Sequence, residues 1–303
     1  MNGSITEGLM SSPASISPQY FYDEKGSQLF ESITTQPEYY LTRIEATIFD
    51  RHRRELAGKL PENSIFIDLG AGNCRKAEAL FSLIRPSQYV AVDISSDFLK
   101  DVIERLRKTY PDLDIVQVDQ DYSKGIHLPE RVVMSRRVFF YPGSSLGNFT
   151  PKESLEILTN IRKSAGAKGQ LILGIDLLKD RDILEGAYND SNGITAQFNL
   201  NVLEHINRRL ASNFMPEHWA HHAFLNAQES RIEMHLEALV DQTVVWTGGQ
   251  RFFHKHERIH TENSYKYTLT RINQLLSKAG FEIQTYWTDE REWFAVFLAE
   301  AIS

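Results

Sequence analysis

Between residues 64 and 176 the chain carries five short, almost uninterrupted apolar runs, at 64–70, 88–93, 114–118, 137–141 and 170–176. A run without polar alternation suits a strand buried on both faces, and such strands occur in parallel sheets whose crossovers are helices. Stretches of helical period over 77–84, over 97–110 and onward from Pro151 fill the gaps. This order predicts an α/β fold with a doubly wound parallel sheet. With 303 residues, 42% of them hydrophobic, the chain can bury one large core or two coupled ones.

After Asp176 the alternation stops. Residues 181–225 read mostly as helix, with Leu203, Ile206 and Leu210 on one face, and residues 231–262 read as extended segments. Alternation returns with a helix over 270–279 closed by Gly280, then strands over 281–287 and 293–298. Ahead of the first run, Leu29, Phe30 and Ile33, then Ile44, Ile48 and Phe49, recur at helical spacing, with Pro37 separating two helices. Residues 1–20, rich in Ser, Gly and Pro, are expected to be mobile. The expected organisation is a catalytic sheet domain of residues 57–180 and 265–303. Residues 1–56 and 181–264, the N-terminal helices and the long insertion, would form a substrate-binding cap over the sheet's carboxyl edge.

Composition excludes several classes. A net charge of −7 argues against nucleic acid as partner, because phosphate binding wants a basic surface. Arg51, Arg53 and Arg54 lie on a predicted helix and read as a solvated face. The single cysteine, Cys74, allows no internal disulfide. The first residues lack the basic and apolar regions of a signal peptide, and no apolar run reaches the ~20 residues that cross a bilayer. A cytoplasmic monomer with a small-molecule substrate and no membrane association is expected. The cluster His218, His221 and His222 lacks further ligands nearby, so it reads as a solvated helix and no metal is expected.

In open α/β sheets ligands bind beyond the carboxyl ends of the strands, at the switch point in strand order. Polar residues gather there four times. After the first run, Gly70 and Gly72 allow a tight turn and a close backbone approach to a ligand. At the end of the second, Asp93 can accept from two ribose hydroxyls. After the third, Asp121 can accept from an adenine amino group, beside Tyr122. After the fourth comes the polar loop 143–148, suited to a substrate beside the cofactor. Any one of these is ordinary loop chemistry. Together, in strand order, they point to an adenosyl cofactor; Cys74 stands where both the methyltransferase and the dinucleotide patterns want a third glycine, and it is the polar loop after the fourth run that speaks against NAD.

The segments outside the sheet are more specific: Tyr22-Asp-Glu-Lys-Gly-Ser-Gln-Leu-Phe30, Gln36-Pro-Glu-Tyr-Tyr-Leu-Thr-Arg43, Tyr141-Pro-Gly-Ser-Ser-Leu-Gly-Asn-Phe149, Ala187-Tyr-Asn-Asp190, Phe198-Asn-Leu-Asn201, Ile232-Glu-Met234 and Thr261-Glu-Asn-Ser-Tyr-Lys-Tyr267. In combination they resemble the histidine-specific Nα-methyltransferase family, which forms the betaine hercynine for ergothioneine biosynthesis. The resemblance runs from about Tyr20 to the C-terminus. It implies a class I, Rossmann-like methyltransferase core using S-adenosylmethionine and no metal. It further implies that Tyr39 and Asn148 hold the substrate α-amine and carboxylate, with Tyr22, Phe30, Gly143 and Tyr188 lining the same pocket. Glu262 and Ser264 would bind the imidazole and Met234 would pack on it, while Gly70, Gly72, Lys76, Asp93, Asp121 and Tyr122 would serve the cofactor. Two positions depart from the family pattern: Cys74 stands in the glycine loop, and Leu41 follows Tyr-Tyr where proline is commoner. Two other readings stay open, the same reaction on tryptophan or tyrosine and a non-catalytic cofactor-binding module.

Overall fold

The computed structural model describes residues 2–94 and 96–302. The first elements are α1 (Asn2–Met10), β1 (Ala14–Ser15), α2 (Glu24–Thr34) and α3 (Tyr40–Lys59). Then come β2 (Ile65–Leu69), α4 (Arg75–Ile84), β3 (Gln88–Asp93), α5 (Ser96–Thr109), β4 (Asp114–Asp119), β5 (Arg137–Tyr141), α6 (Pro151–Ala165) and β6 (Gln170–Asp176). The insertion holds α7 (Arg181–Gly186), α8 (Ile194–Leu210), β7 (Trp219–Asn226), β8 (Arg231–Ala238), β9 (Gln242–Trp246), β10 (Gly249–Phe253) and β11 (Arg258–Tyr265). The chain closes with α9 (Leu269–Lys278), β12 (Phe281–Thr288) and β13 (Phe294–Ala301).

Two compact units result, one of residues 41–178 and 266–303, the other of residues 1–40 and 179–265. The first is built on a seven-stranded sheet in the order β12-β13-β6-β5-β2-β3-β4. β2 to β6 are mutually parallel, and β13 alone runs antiparallel, against β6 on one side and β12 on the other. Every residue of β2, β3, β5 and β6 is buried, which is why those runs show no polar alternation. Strand order reverses between β2 and β5, so the loops after these two strands flank the switch point. At the carboxyl end of β6 a fully buried ion pair joins Lys266 Nζ to Asp176 Oδ2 at 2.7 Å, and Tyr267 N–H donates to the Asp176 carbonyl. Both bonds fasten the chain to the sheet where it returns from the insertion.

The expected first boundary at residue 56 falls instead at Tyr40, so α3 groups with the sheet unit. The cause lies on α3 itself. Buried Glu45, on a stripe with Leu41 and Ile48, bonds to Lys76 of α4 and to Gly143 of the loop after β5.

The second unit contains a four-stranded sheet, β1-β11-β8-β7, and the β9–β10 hairpin. Two expectations are corrected here. Residues 2–20 are structured rather than mobile, Met1 lying outside the described residues: Ile5 and Leu9 of α1 are buried, β1 pairs in parallel with β11, and Arg251 donates to the Leu9 and Ser11 carbonyls. Residues 219–226 form a strand and not the end of a helix. Trp219, Ala223 and Leu225 are the buried residues of that strand, a pattern a helix-period reading passes over. His221 and His222 therefore occupy opposite faces of β7 and do not share a solvated helix.

Candidate active site

In the sheet unit the loop after β2 is held by its neighbour β3. Gly70 N–H and Ala71 N–H both donate to the Val92 carbonyl, and Gly72 N–H donates to Asp93 Oδ2 at 2.9 Å. Gly70 and Gly72 have φ of +69° and +51°, and a Cβ added at either would meet no atom closer than 3.6 Å. The glycines thus leave an open cradle above the strand ends, in a left-handed conformation that L side chains seldom adopt. Cys74 follows at φ +60°, which explains why glycine is commoner in such loops. Burial pushes its thiol up to about 12, so it remains neutral and unreactive.

Asp93 is buried at 9% exposure and ends β3. Asp121 caps the short turn Tyr122–Lys124: its Oδ1 accepts from Ser123 N–H and Oγ, and its Oδ2 lies 3.1 Å from Lys124 Nζ. Tyr122 packs edge-on against Tyr141 and Phe149, and its hydroxyl borders Gly70. The loop after β5 is rigidly built. Ser144 Oγ accepts from Asp176 N–H, Gly147 N–H donates to the Ser144 carbonyl, and a capping box of Thr150 and Glu153 starts α6 immediately after. Asn148 ends the single 3-10 turn of this loop, half-buried.

In the second unit the residues assigned to the substrate come together in two groups. Tyr22 and Phe30, then Phe30 and Tyr39, then Tyr39 and Tyr188 meet edge to face, with ring centroids 5.9 to 6.4 Å apart. Phe198 of α8 packs on Phe21, Tyr22 and Phe30 and completes this aromatic wall. The Tyr188 hydroxyl then donates to Ser264 Oγ at 2.7 Å, linking the wall to β11.

On β11 the register decides the outcome. Arg258 and His260 pair with Glu237 and His235 of β8, so an unbroken ladder would place Glu262 opposite Glu233. A bulge between His260 and Glu262 shifts the register by one, and Glu262 pairs with Met234 instead. Because the side-chain period of a strand is two, the shift moves Glu262 and Ser264 from the face of Glu233 and His235 to the face of Met234. Glu262, Ser264 and Met234 are buried there, at 8%, 3% and 2% exposure. Thr261, the extra residue, is fully buried and donates to Asn199 Oδ1 and the Met234 carbonyl.

The family profile described as histidine-specific methyltransferase, SAM-dependent, matches residues 1–301. The chain belongs to this family. Among its relatives are the histidine N-alpha-methyltransferases of Mycobacterium tuberculosis, 34% identical, and Mycolicibacterium smegmatis, 33% identical, each aligned over 97% of this chain and 93% of the relative. Among solved structures, an S-adenosylmethionine-dependent methyltransferase from Clostridium acetobutylicum superposes with a TM-score of 0.51 at 12% identity, over 91% of this chain and 96% of that one. That likeness establishes the class I methyltransferase fold. No helix among the described residues is long and apolar enough to cross a membrane.

For a member of this family, three features were not singled out from sequence. Glu45 is one; its signal was a carboxylate on the buried stripe of α3. Phe198 is another, inside a recognised motif but masked as ordinary helix core. The third is the network that fixes Tyr188: His221 Nε2 donates to the Tyr188 carbonyl and Nδ1 accepts from Asn199 Nδ2, while burial lowers the His221 pKa and keeps the ring neutral. The expectation of no metal meets one donor set among the described residues, Glu233, His235 and His260, with ligand atoms within 4.8 Å of one another. Its carboxylate is already paired with Arg231 and bonded by Asn226.

Asp68 carries a pH dependence. It is buried in β2, just ahead of the glycine loop, and accepts from the Tyr89 hydroxyl at 2.8 Å. Burial pushes its carboxyl up from 3.8 to about 7, the Tyr89 bond opposes this, and the charge of Asp93 adds to it. A carboxyl whose pKa rises on folding favours the folded state while protonated. That contribution is whole below pH ~4 and is lost as pH rises through ~7. Asp68→Asn keeps an acceptor for Tyr89, and at pH 8 it should stabilise the fold by about 2–4 kcal/mol while flattening the decline between pH 4 and 7. Denaturant melts at pH 5 and pH 8 check this; parallel pH profiles for the two proteins would refute it.

Proposed function

We propose that this enzyme methylates the α-amine of L-histidine with S-adenosylmethionine, through successive transfers, to the trimethylated betaine hercynine. The observation that carries the substrate assignment is the bulge on β11, which buries Glu262 and Ser264 together on the Met234 face. A carboxylate on that face can accept from an imidazole N–H, which an apolar ring does not offer. The open glycine cradle, bordered by Tyr122 and anchored by Asp93, fits an adenosyl group whose ribose hydroxyls bond to the carboxylate.

When bound, S-adenosylmethionine supplies an already activated methyl group on a sulfonium, so the protein's task is placement and protonation state. The acceptor must be a neutral amine. A free α-amine has a pKa of about 8, so losing its proton near neutrality costs little and no strong base is needed. Tyr39 and Asn148 are assigned to orient the amine and carboxylate. Three methylations require the amine to shed a proton and turn between rounds, and the product is a fixed cation with no lone pair left.

Asn148→Ala should lower turnover by about tenfold or more while leaving cofactor affinity within about twofold, because the residue serves the acceptor rather than the donor. Calorimetry beside steady-state kinetics checks it; equal losses in both would mean the β5 loop had collapsed. The assignment as a whole is tested by offering all twenty amino acids with S-adenosylmethionine and reading products by mass. Methylated tryptophan or tyrosine in place of histidine would overturn the substrate, and cofactor binding without product would identify a binding module.

A further inference from the structure

We propose that Glu45 of α3 is a positioning residue that fixes the cofactor-side Lys76 and the acceptor-side β5 loop to one buried carboxylate. Its Oε2 accepts from Lys76 Nζ at 2.5 Å, and its Oε1 accepts from Gly143 N–H at 2.7 Å. Glu45 is 1% exposed. A buried carboxylate is retained only where its partners are fixed, and breaking the pair leaves an uncompensated charge.

The surroundings are shaped to admit this side chain. Gly174 lies in the middle of β6, where glycine ordinarily weakens a strand. A Cβ at Gly174 would come 2.1 Å from Glu45 Oε1 and 3.2 Å from Gly143 N. The missing side chain is therefore the space in which the carboxylate meets the loop. Gly143 has φ +76°, and a Cβ there would come 3.0 Å from Lys76 Nζ. Two glycines on two chain segments thus clear the route from α3 to the loop after β5.

The chemistry gives this bracket a purpose. Gly143 opens the loop that ends in Asn148, and Lys76 lies in the first turn of α4, directly after the glycine loop. One carboxylate holding both ties the loop that presents the acceptor to the helix that follows the donor's cradle. In-line transfer depends on that spacing, since a displacement of about 1 Å can cost about 100-fold in rate.

The inference rests on the methyltransferase reading, and its test keeps the two apart. E45A removes both bonds and should lower kcat for histidine about 100-fold. E45Q keeps an acceptor for Gly143 N–H but loses the charge facing Lys76. It should recover kcat to within about fivefold of wild type while S-adenosylmethionine Kd stays raised about tenfold. G174A retains the Glu45 side chain but displaces its carboxylate, and should reproduce the E45A loss of about 100-fold. In E45A/G174A the carboxylate that the added methyl would displace is gone and only the 3.2 Å approach to Gly143 N remains, so the double variant should stay close to E45A, within about fivefold, and far short of the product of the two losses.

Wild-type kcat and cofactor Kd in a folded E45A protein would overturn the proposal, as would multiplying rather than shared losses in the double variant. Should E45A fail to fold, E45Q and G174A carry the same comparison. Should the wild type not methylate histidine, the function reading fails. Cofactor Kd by calorimetry in wild type, E45Q and G174A then still decides whether Glu45 organises the site, with equal values in all three refuting it.

Discussion

Replacing Glu262 with alanine should cut kcat/KM for histidine by about 10²–10³-fold, because a buried charge-assisted hydrogen bond is lost and the imidazole N–H is left buried without an acceptor. The same substitution should leave tryptophan and phenylalanine nearly unaffected, or raise their slow reaction, since it removes a charge and adds volume beside Met234. Glu262→Gln should fall between, about tenfold down, because its carbonyl still accepts but without charge. Ser264→Ala should cost less than Glu262→Ala. The Ser264 hydroxyl is already engaged with Tyr188, and the imidazole retains the carboxylate as its stronger partner. Competition kinetics of histidine against tryptophan and phenylalanine, in wild type and each variant, reads the result. A wild-type preference for an apolar ring, or a Glu262→Ala enzyme with unchanged preference, would remove histidine as the substrate and leave the methyl-transfer chemistry standing.

The sheet was legible because burial on both faces writes itself as continuous apolar runs, and the observed strands fall within a few residues of those runs. The strand-end loops were legible because α/β topology places them at the switch point whatever their neighbours do. What escaped depended on contacts far apart in sequence. The helix at residues 2–10 is anchored through Arg251 and Trp246, about 240 positions away, so its Ser- and Gly-rich start looked mobile. Trp219–Asn226 buries too few residues to declare a period, and its strand character comes from pairing with β8. The bulge at Thr261 has no local signature, since it is specified by Asn199 of α8 and the Met234 carbonyl. Family motifs name Glu262 and Ser264 as a pair, while the register that turns them to one face is visible only in the fold. Glu45 and Gly174 each carried a mark, a carboxylate on a buried stripe and a glycine within a buried strand, but the meaning of each lies in the other.

Asp93 holds the loop after β2 and is proposed to bind the cofactor as well, and substitutions there should separate the two. Oδ2 accepts from Gly72 N–H at 2.9 Å and holds the cradle in shape, while the carboxylate as a whole is assigned to the ribose hydroxyls of S-adenosylmethionine. Asp93→Ala removes both functions. With each hydrogen bond to a charged group worth about 1.5–3 kcal/mol, the loss of two should raise the cofactor Kd by about 10²–10⁴-fold. Asp93→Asn keeps one oxygen, which Gly72 N–H can still use, and gives up the charge and the second acceptor. It should bind about 10–100-fold more weakly than wild type. The ordering matters more than either number. If Asp93→Asn binds like wild type and only Asp93→Ala is impaired, the side chain serves the loop alone and the ribose assignment is wrong. If both are impaired in graded order, with S-adenosylhomocysteine weakened in parallel with S-adenosylmethionine, the contact is to the part of the molecule the two share. An effect confined to S-adenosylmethionine would place Asp93 at the sulfonium rather than at the ribose. Isothermal titration of both ligands against both variants, with thermal melts to confirm folding, distinguishes these outcomes.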